Sequence, residues 1–323
     1  MKENNFWRNV NVLITGASGL LGSEMVSQLL NKGANVVTIV RDTVPKSRFF
    51  LENLNSKVTI TRGDIEDYSF VERVMAEYEI NTVFHLAAQP IVKIANSSPL
   101  GTFNANIKGT WNVLEAARNH MSTVKSVVVA SSDKAYGTSP ILPYDESVPL
   151  RGQHPYDVSK SCVDLLSQSY WYTYKLPVNI TRCGNFYGPG DLNYNRIIPG
   201  TILSVINNER PIIRSDGSYI RNYFYIKDAA DGYITISENR DSVLGEAFNL
   251  GSEERYSVLE ITNLVLKVMG SKLAPVVRNE VSNEIKEQYL SIKKVKETLN
   301  WKPKYKTEDA LLETVSWYKK YVC

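Results

Sequence analysis

Short apolar runs alternate with stretches of helical periodicity along the first two thirds of the chain. Val10 to Thr15 (VNVLIT) is apolar and β-branched and ends in the glycine-rich string GASGLLG. Behind it, Met25, Leu29 and Leu30 fall on one helical face, and the pattern stops at Lys32-Gly33. Asn35 to Val40 (NVVTIV) is a second apolar run. Strand, glycine turn, helix and strand therefore fill about thirty residues, the length of a βαβ unit with parallel strands. The alternation predicts further strands at Val58 to Thr61, Thr82 to Leu86, Ser126 to Ser131 and Val178 to Thr181, and helices at Tyr68 to Tyr78, Asn104 to Asn119 and Tyr156 to Tyr174. This rhythm predicts an α/β fold, a Rossmann-type doubly wound parallel sheet with ligands at the carboxyl ends of its strands.

After Gly188 the rhythm breaks in the turn-rich string GPGDLNYNRIIPG, and short strands mix with helices such as Ser257 to Met269 and Thr307 to Tyr321. A smaller α+β C-terminal substrate region is expected there. The expected division is a sheet domain of residues 1–188 plus about 222–250, with Phe248 to Leu250 returning to the sheet, and a second region of residues 189–221 and 251–323.

The chain has 323 residues, 43% hydrophobic and 22% charged, which excludes a disordered or fibrous protein. Its formal charge of +3 is too even to imply a nucleic-acid or membrane partner. The start lacks the apolar core of a secretory signal, and no run of about 20 apolar residues occurs. Cys162, Cys183 and Cys323 form neither a metal-ligand spacing nor an even disulfide set. A cytoplasmic protein with reduced thiols and no metal site is expected.

The candidate chemistry begins with the turn after the first strand. Gly16, Ser18, Gly19, Leu20, Leu21 and Gly22 are assigned to a phosphate cradle. Gly16 supplies the tight turn, Gly19 lets the backbone approach a pyrophosphate, and Gly22 permits close helix–strand contact, with the helix N-terminus aimed at the phosphates. The second strand ends Val40-Arg41-Asp42. Asp42 offers the acceptor that an unmodified ribose needs, and Arg41 offers the partner for a 2′-phosphate. NADP is slightly favoured over NAD because apolar Val40 stands where the acid ordinarily begins, and a solvated surface ion pair is the competing reading. Asp64 and Ile65 follow the third strand, where a carboxylate can reach an adenine amino group. Leu86, Ala87, Ala88 and Gln89 follow the fourth, where small residues let a cofactor lie on the backbone.

Tyr156 and Lys160 lie four apart at the start of the long helix and share a face. An ammonium beside a phenol favours phenolate and lowers the phenol's pKa from about ten toward neutrality. With the Ser131-Ser132 pair closing the fifth strand, this set suits proton removal from a hydroxyl beside a nicotinamide.

The motifs T-G-x-x-G-x-x-G, G-D-I, L-A-A-Q, S-S-D-K-x-Y-G, Y-D-V-S-K, R-C-G-N-F-Y-G-P-G and R-N-Y-F-Y-I-K-D occur in this order over residues 10 to 228, and LNWKP follows in the C-terminal part at Leu299 to Pro303. The sequence thereby resembles the extended short-chain dehydrogenase/reductase family that modifies nucleotide sugars. The resemblance implies that the sheet domain binds the dinucleotide and the second region the nucleotide sugar. It implies that Asn106 supports the nicotinamide pocket and that Asn185 and Arg221 hold the substrate's diphosphate. The Asn193 to Pro199 loop, with Asn195 and Arg196, would contact nucleotide and sugar, and Gln89 would face both ligands. A homodimer is also implied, through the Asn104 to Asn119 and Tyr156 to Tyr174 helices, which carry apolar residues on more than one face (Trp111, Val113, Leu114; Leu165, Leu166, Tyr170, Trp171).

Within that family the residues after Ser132 separate the reaction classes. An acid–base pair at this place marks the 4,6-dehydratases, most often as Asp-Glu, and Asp133-Lys134 looks like the CDP-glucose 4,6-dehydratases. The implied activity is NDP-hexose 4,6-dehydration, yielding an NDP-4-keto-6-deoxyhexose for surface polysaccharide or glycan. Tyr156 would act on the C4 hydroxyl, Asp133 would protonate the leaving C6 hydroxyl, and Lys134 is the candidate C5 base. An NDP-sugar 4-epimerase is the alternative, as is a GDP-mannose 4,6-dehydratase, which shares an Arg in the place of Arg41. The Lys286-Glu287-Gln288 stretch lacks the Arg that many relatives use on the nucleotide, so the base stays open.

Overall fold

The computed structural model describes residues 5–280 and 286–322; Cys323 of the cysteine set lies outside them. From β1 (Asn11–Thr15) the chain turns into α1 (Leu20–Asn31) and returns in β2 (Asn35–Val40). A short α2 (Arg48–Leu51) precedes β3 (Thr59–Arg62), α3 (Tyr68–Glu77) and β4 (Thr82–His85). Next come α4 (Val92–Ser97) and α5 (Pro99–Phe103), which runs through a π-helical stretch, Asn104–Lys108, into α6 (Gly109–Asn119). β5 (Ser126–Ala130), α7 (Pro155–Tyr174) and β6 (Val178–Cys183) follow.

The remaining elements are β7 (Asn185–Tyr187), α8 (Ile197–Ile206), β8 (Ile212–Ile213), β9 (Ile220–Arg221), β10 (Tyr223–Tyr225), α9 (Ile226–Glu238), α10 (Arg240–Val243), β11 (Ala247–Leu250), β12 (Tyr256–Ser257), α11 (Val258–Val268), β13 (Val276–Val277), β14 (Glu287–Gln288), α12 (Lys293–Leu299) and α13 (Thr307–Tyr321).

Seven parallel strands form the central sheet in the order β11-β6-β5-β4-β1-β2-β3. Alternate residues of each strand feed opposite cores, as strand geometry requires. Val12, Ile14, Val36 and Val128 join the core on one face, while Leu13, Val37, Ile39, Val127 and Val129 join the core on the other. Because both faces are covered, the strands read as continuous apolar runs. α1 and α9 pack together, as do α3, α6 and α7. The strand order reverses between β1 and β4, and that switch point is where open α/β sheets leave a crevice.

Most boundaries agree with the sequence-based expectation to within two residues, and two segments differ by more. The helix expected from Asn104 begins at Pro99, because proline at the first helical position costs no hydrogen bond, and it passes through the π stretch before regular helix resumes. The Asn193 to Pro199 segment is not all loop: Ile197, Ile198 and Pro199 already form the first turn of α8, where a proline lacks only an unpaired N–H.

The C-terminal elements share the sheet's core rather than forming their own. Trp301, Leu311 and Tyr318 belong to the same buried cluster as Met25, Phe224 and Tyr233. Three small sheets complete this part, β7 with β10, β8 with β13, and the trio β12-β9-β14. No helix among the described residues is long and apolar enough to cross a membrane.

Candidate active site

The glycine turn is shaped by contact with the segment after β4. Gly16 has φ +77°, a conformation that favours glycine, and a Cβ there would lie 2.8 Å from the Ala87 nitrogen. A Cβ on Gly22 would come within 2.0 Å of the Gly16 carbonyl oxygen. Any side chain at either place would fill the cradle. Gly19 caps α1 without a side-chain hydrogen bond, so the N–H groups of the first turn remain available to an anion. Ser18 and Leu20 are half-buried at this mouth, whereas the Leu21 side chain is buried in the core. The cradle fits the pyrophosphate of a dinucleotide.

Farther along the strand tips, Arg41 Nε donates to Asp42 at 2.7 Å, and Arg41 Nη1 lies 3.9 Å from Asp64. Three groups from two loops thus meet beyond β2 and β3. The Ile65 side chain is buried against Gly109, and its carbonyl accepts from Asn112. Leu86, Ala87, Ala88 and Gln89 are half-buried at the crevice, and the Gln89 amide closes onto the Ile91 backbone.

At the other end, Ser132 caps a tight turn, Asp133–Tyr136, by accepting from the Lys134 N–H at 3.2 Å. Its own hydroxyl donates to Asp133 Oδ1 at 3.1 Å. Asp133 is buried, and desolvation pushes its carboxyl up; the Lys134 ammonium, Ser132 and Arg221 oppose that rise. Lys134 Nζ donates to Gln288 Oε1. Arg221 lies on β9, with Nη1 donating to the Ile220 and Lys286 carbonyls. Arg196 pairs with Asp191 at 3.1 Å, Asn195 accepts from Arg214 at 3.0 Å, and Asn185 is half-buried on β7. No group of three or more metal-ligating side chains occurs among the described residues.

Tyr156 and Lys160 share a face of α7, but their electrostatics differ from the sequence-based expectation. Burial pushes the Tyr156 phenol up to about 12, not down; Ser132 and Arg196 pull against the rise, while Asp133 and Asp157 add to it. Lys160 Nζ donates to the Ala130 carbonyl at 2.7 Å, and burial pushes its ammonium down to about 8. The lysine's charge is engaged by backbone at the end of β5. Desolvation of the phenol therefore outweighs the effect predicted from spacing alone.

A family model described as GDP-mannose 4,6 dehydratase matches residues 13–314. The chain belongs to this family. The CDP-glucose 4,6-dehydratase of Salmonella typhimurium is 30% identical over 341 residues, covering 100% of this chain and 94% of that protein. The UDP-glucose 4-epimerase of Thermotoga maritima matches at TM-score 0.89 and 27% identity, covering 97% of this chain and 100% of that one. A dTDP-glucose 4,6-dehydratase from Streptomyces venezuelae, solved with NAD bound, matches at TM-score 0.86 and 26% identity, with coverages of 96% and 97%.

In this member of the GDP-mannose 4,6 dehydratase family, a buried histidine joins the glycine turn to α7. Thr15 Oγ1 accepts from the Leu86 and Ala87 N–H groups at 3.1 Å each, so its hydroxyl proton goes to His85 Nδ1 at 2.8 Å. Thr110 donates to the Asn106 carbonyl, so it accepts from His85 Nε2 at 2.9 Å. The ring is thereby the neutral Nε2–H tautomer. Asn106, 1% exposed, accepts from the Gln89 N–H and donates to the Gln89 carbonyl and to Ser159. With its amide fully engaged, Asn106 shapes the pocket through its neighbours. Sequence reading missed Gln288, which lies 154 positions from Lys134 and is joined to it by no local pattern.

Burial and the nearby Lys160 hold His85 down at about 3, against an ordinary 6.5. The unfolded chain therefore binds this proton first as pH falls, so the stabilisation is complete above about 6.5 and lost progressively toward 3. Between pH 7 and pH 5, His85 should account for roughly 2 kcal/mol of lost stability. His85→Gln, whose amide can bridge the two threonines without charging, should flatten that part of the urea-unfolding pH profile; an unchanged slope would assign the loss to other groups.

Proposed function

We propose that this chain is a nucleotide-sugar 4,6-dehydratase acting on CDP-glucose. The observation that carries the reading is the Ser132-Asp133-Lys134 turn. It sets a buried carboxyl, with its proton affinity raised, within electrostatic reach of the Tyr156 phenol, and the Lys134 amine within reach of that carboxyl. A 4-epimerase needs proton transfer at one hydroxyl only, and the Asp–Lys pair would be surplus to it. The pair also follows the pattern of CDP-glucose dehydratases, in keeping with the Salmonella typhimurium relative.

Gly16, Ser18, Gly19, Leu20, Leu21 and Gly22 would hold the pyrophosphate, with Arg41, Asp42, Asp64 and Ile65 at the adenosine end and Leu86 to Gln89, Tyr156 and Lys160 at the nicotinamide. A nicotinamide held there would supply a reversible hydride acceptor for C4 and donor for C6, so no net oxidation would remain. Tyr156 takes the C4 hydroxyl proton, with Ser132 and Arg196 stabilising its anion. The resulting 4-ketone acidifies C5–H, and the Lys134 amine takes that proton. Asp133 gives its proton to the C6 hydroxyl, which leaves as water, and Lys134 then returns the proton to C5. The sugar loses one water. Gln89, Asn185, Asn195, Arg196 and Arg221 would grip the nucleotide diphosphate sugar.

For the cofactor we infer a slight preference for NADP, carried by Arg41. Asp42 and Asp64 compete with a 2′-phosphate for its guanidinium, which keeps the preference small. A homodimer is proposed through α6 and α7. Of the residues expected at that face, only Trp111 and Leu165 are exposed, at 44% and 55%; Leu100 and Tyr172 extend the patch, while Val113 and Leu114 are buried and Leu166, Tyr170 and Trp171 pack on the sheet core. A cytoplasmic location fits reduced thiols at Cys162 and Cys183.

Three results are expected. Asp133→Asn in deuterated water should slow water loss from CDP-glucose by about a hundred- to ten-thousandfold, while recovered substrate still gains label at C5; unimpaired dehydration would remove Asp133 as the acid. A substrate panel giving epimers and no loss of water would install the epimerase reading. Arg41→Ala should weaken NADP several-fold to about a hundredfold and leave NAD nearly unaffected, by titration calorimetry. Sedimentation at micromolar concentration should show a dimer that Trp111→Glu with Leu165→Glu converts to monomer.

A further inference from the structure

Gln288 is 1% exposed, and both ends of its amide are engaged by the catalytic turn. Its Oε1 accepts from Lys134 Nζ, and its Nε2 donates to the Asp133 carbonyl at 3.1 Å. It belongs to β14, where it pairs in register with Arg221 of β9, and Ile220 also accepts that strand's alignment by donating to the Lys286 carbonyl at 2.9 Å. A residue from the far end of the chain therefore enters the site as a single buried amide bridging two consecutive residues.

We infer that Gln288 is a positioning residue for Lys134, a neutral acceptor that fixes its side-chain nitrogen beside Asp133. The assignment rests on the dehydratase reading. Its physical content is a choice of acceptor. A glutamate of the same shape would offer the same oxygen with a full negative charge, and that charge would favour the protonated amine and withdraw it as a base. An aliphatic side chain would leave the four-carbon stem of Lys134 free among its rotamers.

Among the described residues, charged and titratable neighbours come from the turn, α7 and β9. Asp133 shares the turn, Asp157 and Tyr156 face it from α7, and Arg221 acts on Asp133 from β9. Lys134 already has two carboxyl groups within electrostatic reach. A third at residue 288, in direct contact, is the change that the neutral amide avoids. Arg221 and Gln288 stand opposite each other on paired strands, so the expected diphosphate contact and the alignment of the base share one short platform.

The test compares the unaltered protein with Gln288→Glu and Gln288→Met in water and deuterated water. CDP-glucose is the probe, or whichever of dTDP-glucose and GDP-mannose the unaltered protein dehydrates. In Gln288→Glu, kcat near pH 7 should fall about ten- to hundredfold and recover as pH rises, the acid limb of the profile moving up by about one unit or more. In Gln288→Met, kcat should fall about tenfold at every pH, with KM changed by less than about threefold, and label at C5 should fall in parallel in both variants. A Gln288→Glu profile superposable on the unaltered one, or an effect on KM alone, overturns the assignment. So does loss of the folded state in both variants by circular dichroism, which would make Gln288 a structural tie. If the unaltered protein dehydrates none of the sugars, the dehydratase reading itself fails, an outcome distinct from a failure at Gln288.

Discussion

Around the sheet's switch point a run of buried polar groups has no water to fall back on, and each must find its partner within the protein. The run starts at the Leu86 and Ala87 N–H groups and passes through Thr15, His85 and Thr110 to the Asn106 carbonyl. The Asn106 amide extends it to Ser159, whose hydroxyl donates to the Tyr156 carbonyl at 2.6 Å. β1, β4, α6 and α7 are therefore set relative to one another by contacts that tolerate only small displacements. Reversing one donor would place like groups face to face, and an unmatched buried group costs about 1–3 kcal/mol. The glycine turn and Tyr156 are in this sense one rigid object.

A second buried assembly holds the other side of the site. Arg182 on β6 grips Asp164 of α7 with two hydrogen bonds of 2.7 and 2.9 Å, and it donates to the Tyr136 hydroxyl. Tyr136 in turn donates to Asn249 on β11, and Asn249 donates to the Tyr144 carbonyl. Such pairs contribute less to stability than their contact suggests, because both charges lose their water. Their effect here is positional. Tyr136 ends the turn that carries Asp133 and Lys134, so the acid and the amine are fixed to the sheet from behind while Gln288 meets them from the front.

Much of this was legible because it is local. The alternation of apolar runs and helical faces gave the order of elements through β6, since period and turn chemistry are written within a dozen residues. The glycine turn, the Ser132 to Lys134 triplet and the Tyr156–Lys160 spacing were readable for the same reason. What escaped depended on separation or on burial. Gln288 and Lys134 meet across most of the chain, and no periodicity connects them. The sign of the Tyr156 shift escaped because spacing reports which residues share a helix face, whereas desolvation and the Ala130 carbonyl decide where the Lys160 charge is used.

The π-helical stretch at Asn104–Lys108 has a bearing on the chain's tolerance of length changes. A stretch of this kind accommodates one residue more than a regular helix would, and each residue advances the helix by about 100°. Removing a single residue there would let the regular hydrogen-bond ladder close through the segment. α5 and α6 would then keep nearly the same faces toward their neighbours, and what would be lost is the local widening that holds Asn106. A deletion there would thus spare the flanking helices and fall on the bonds of Asn106 to Gln89 and Ser159. The surface loops can absorb insertions and losses, whereas in this buried segment residue count itself carries structural information.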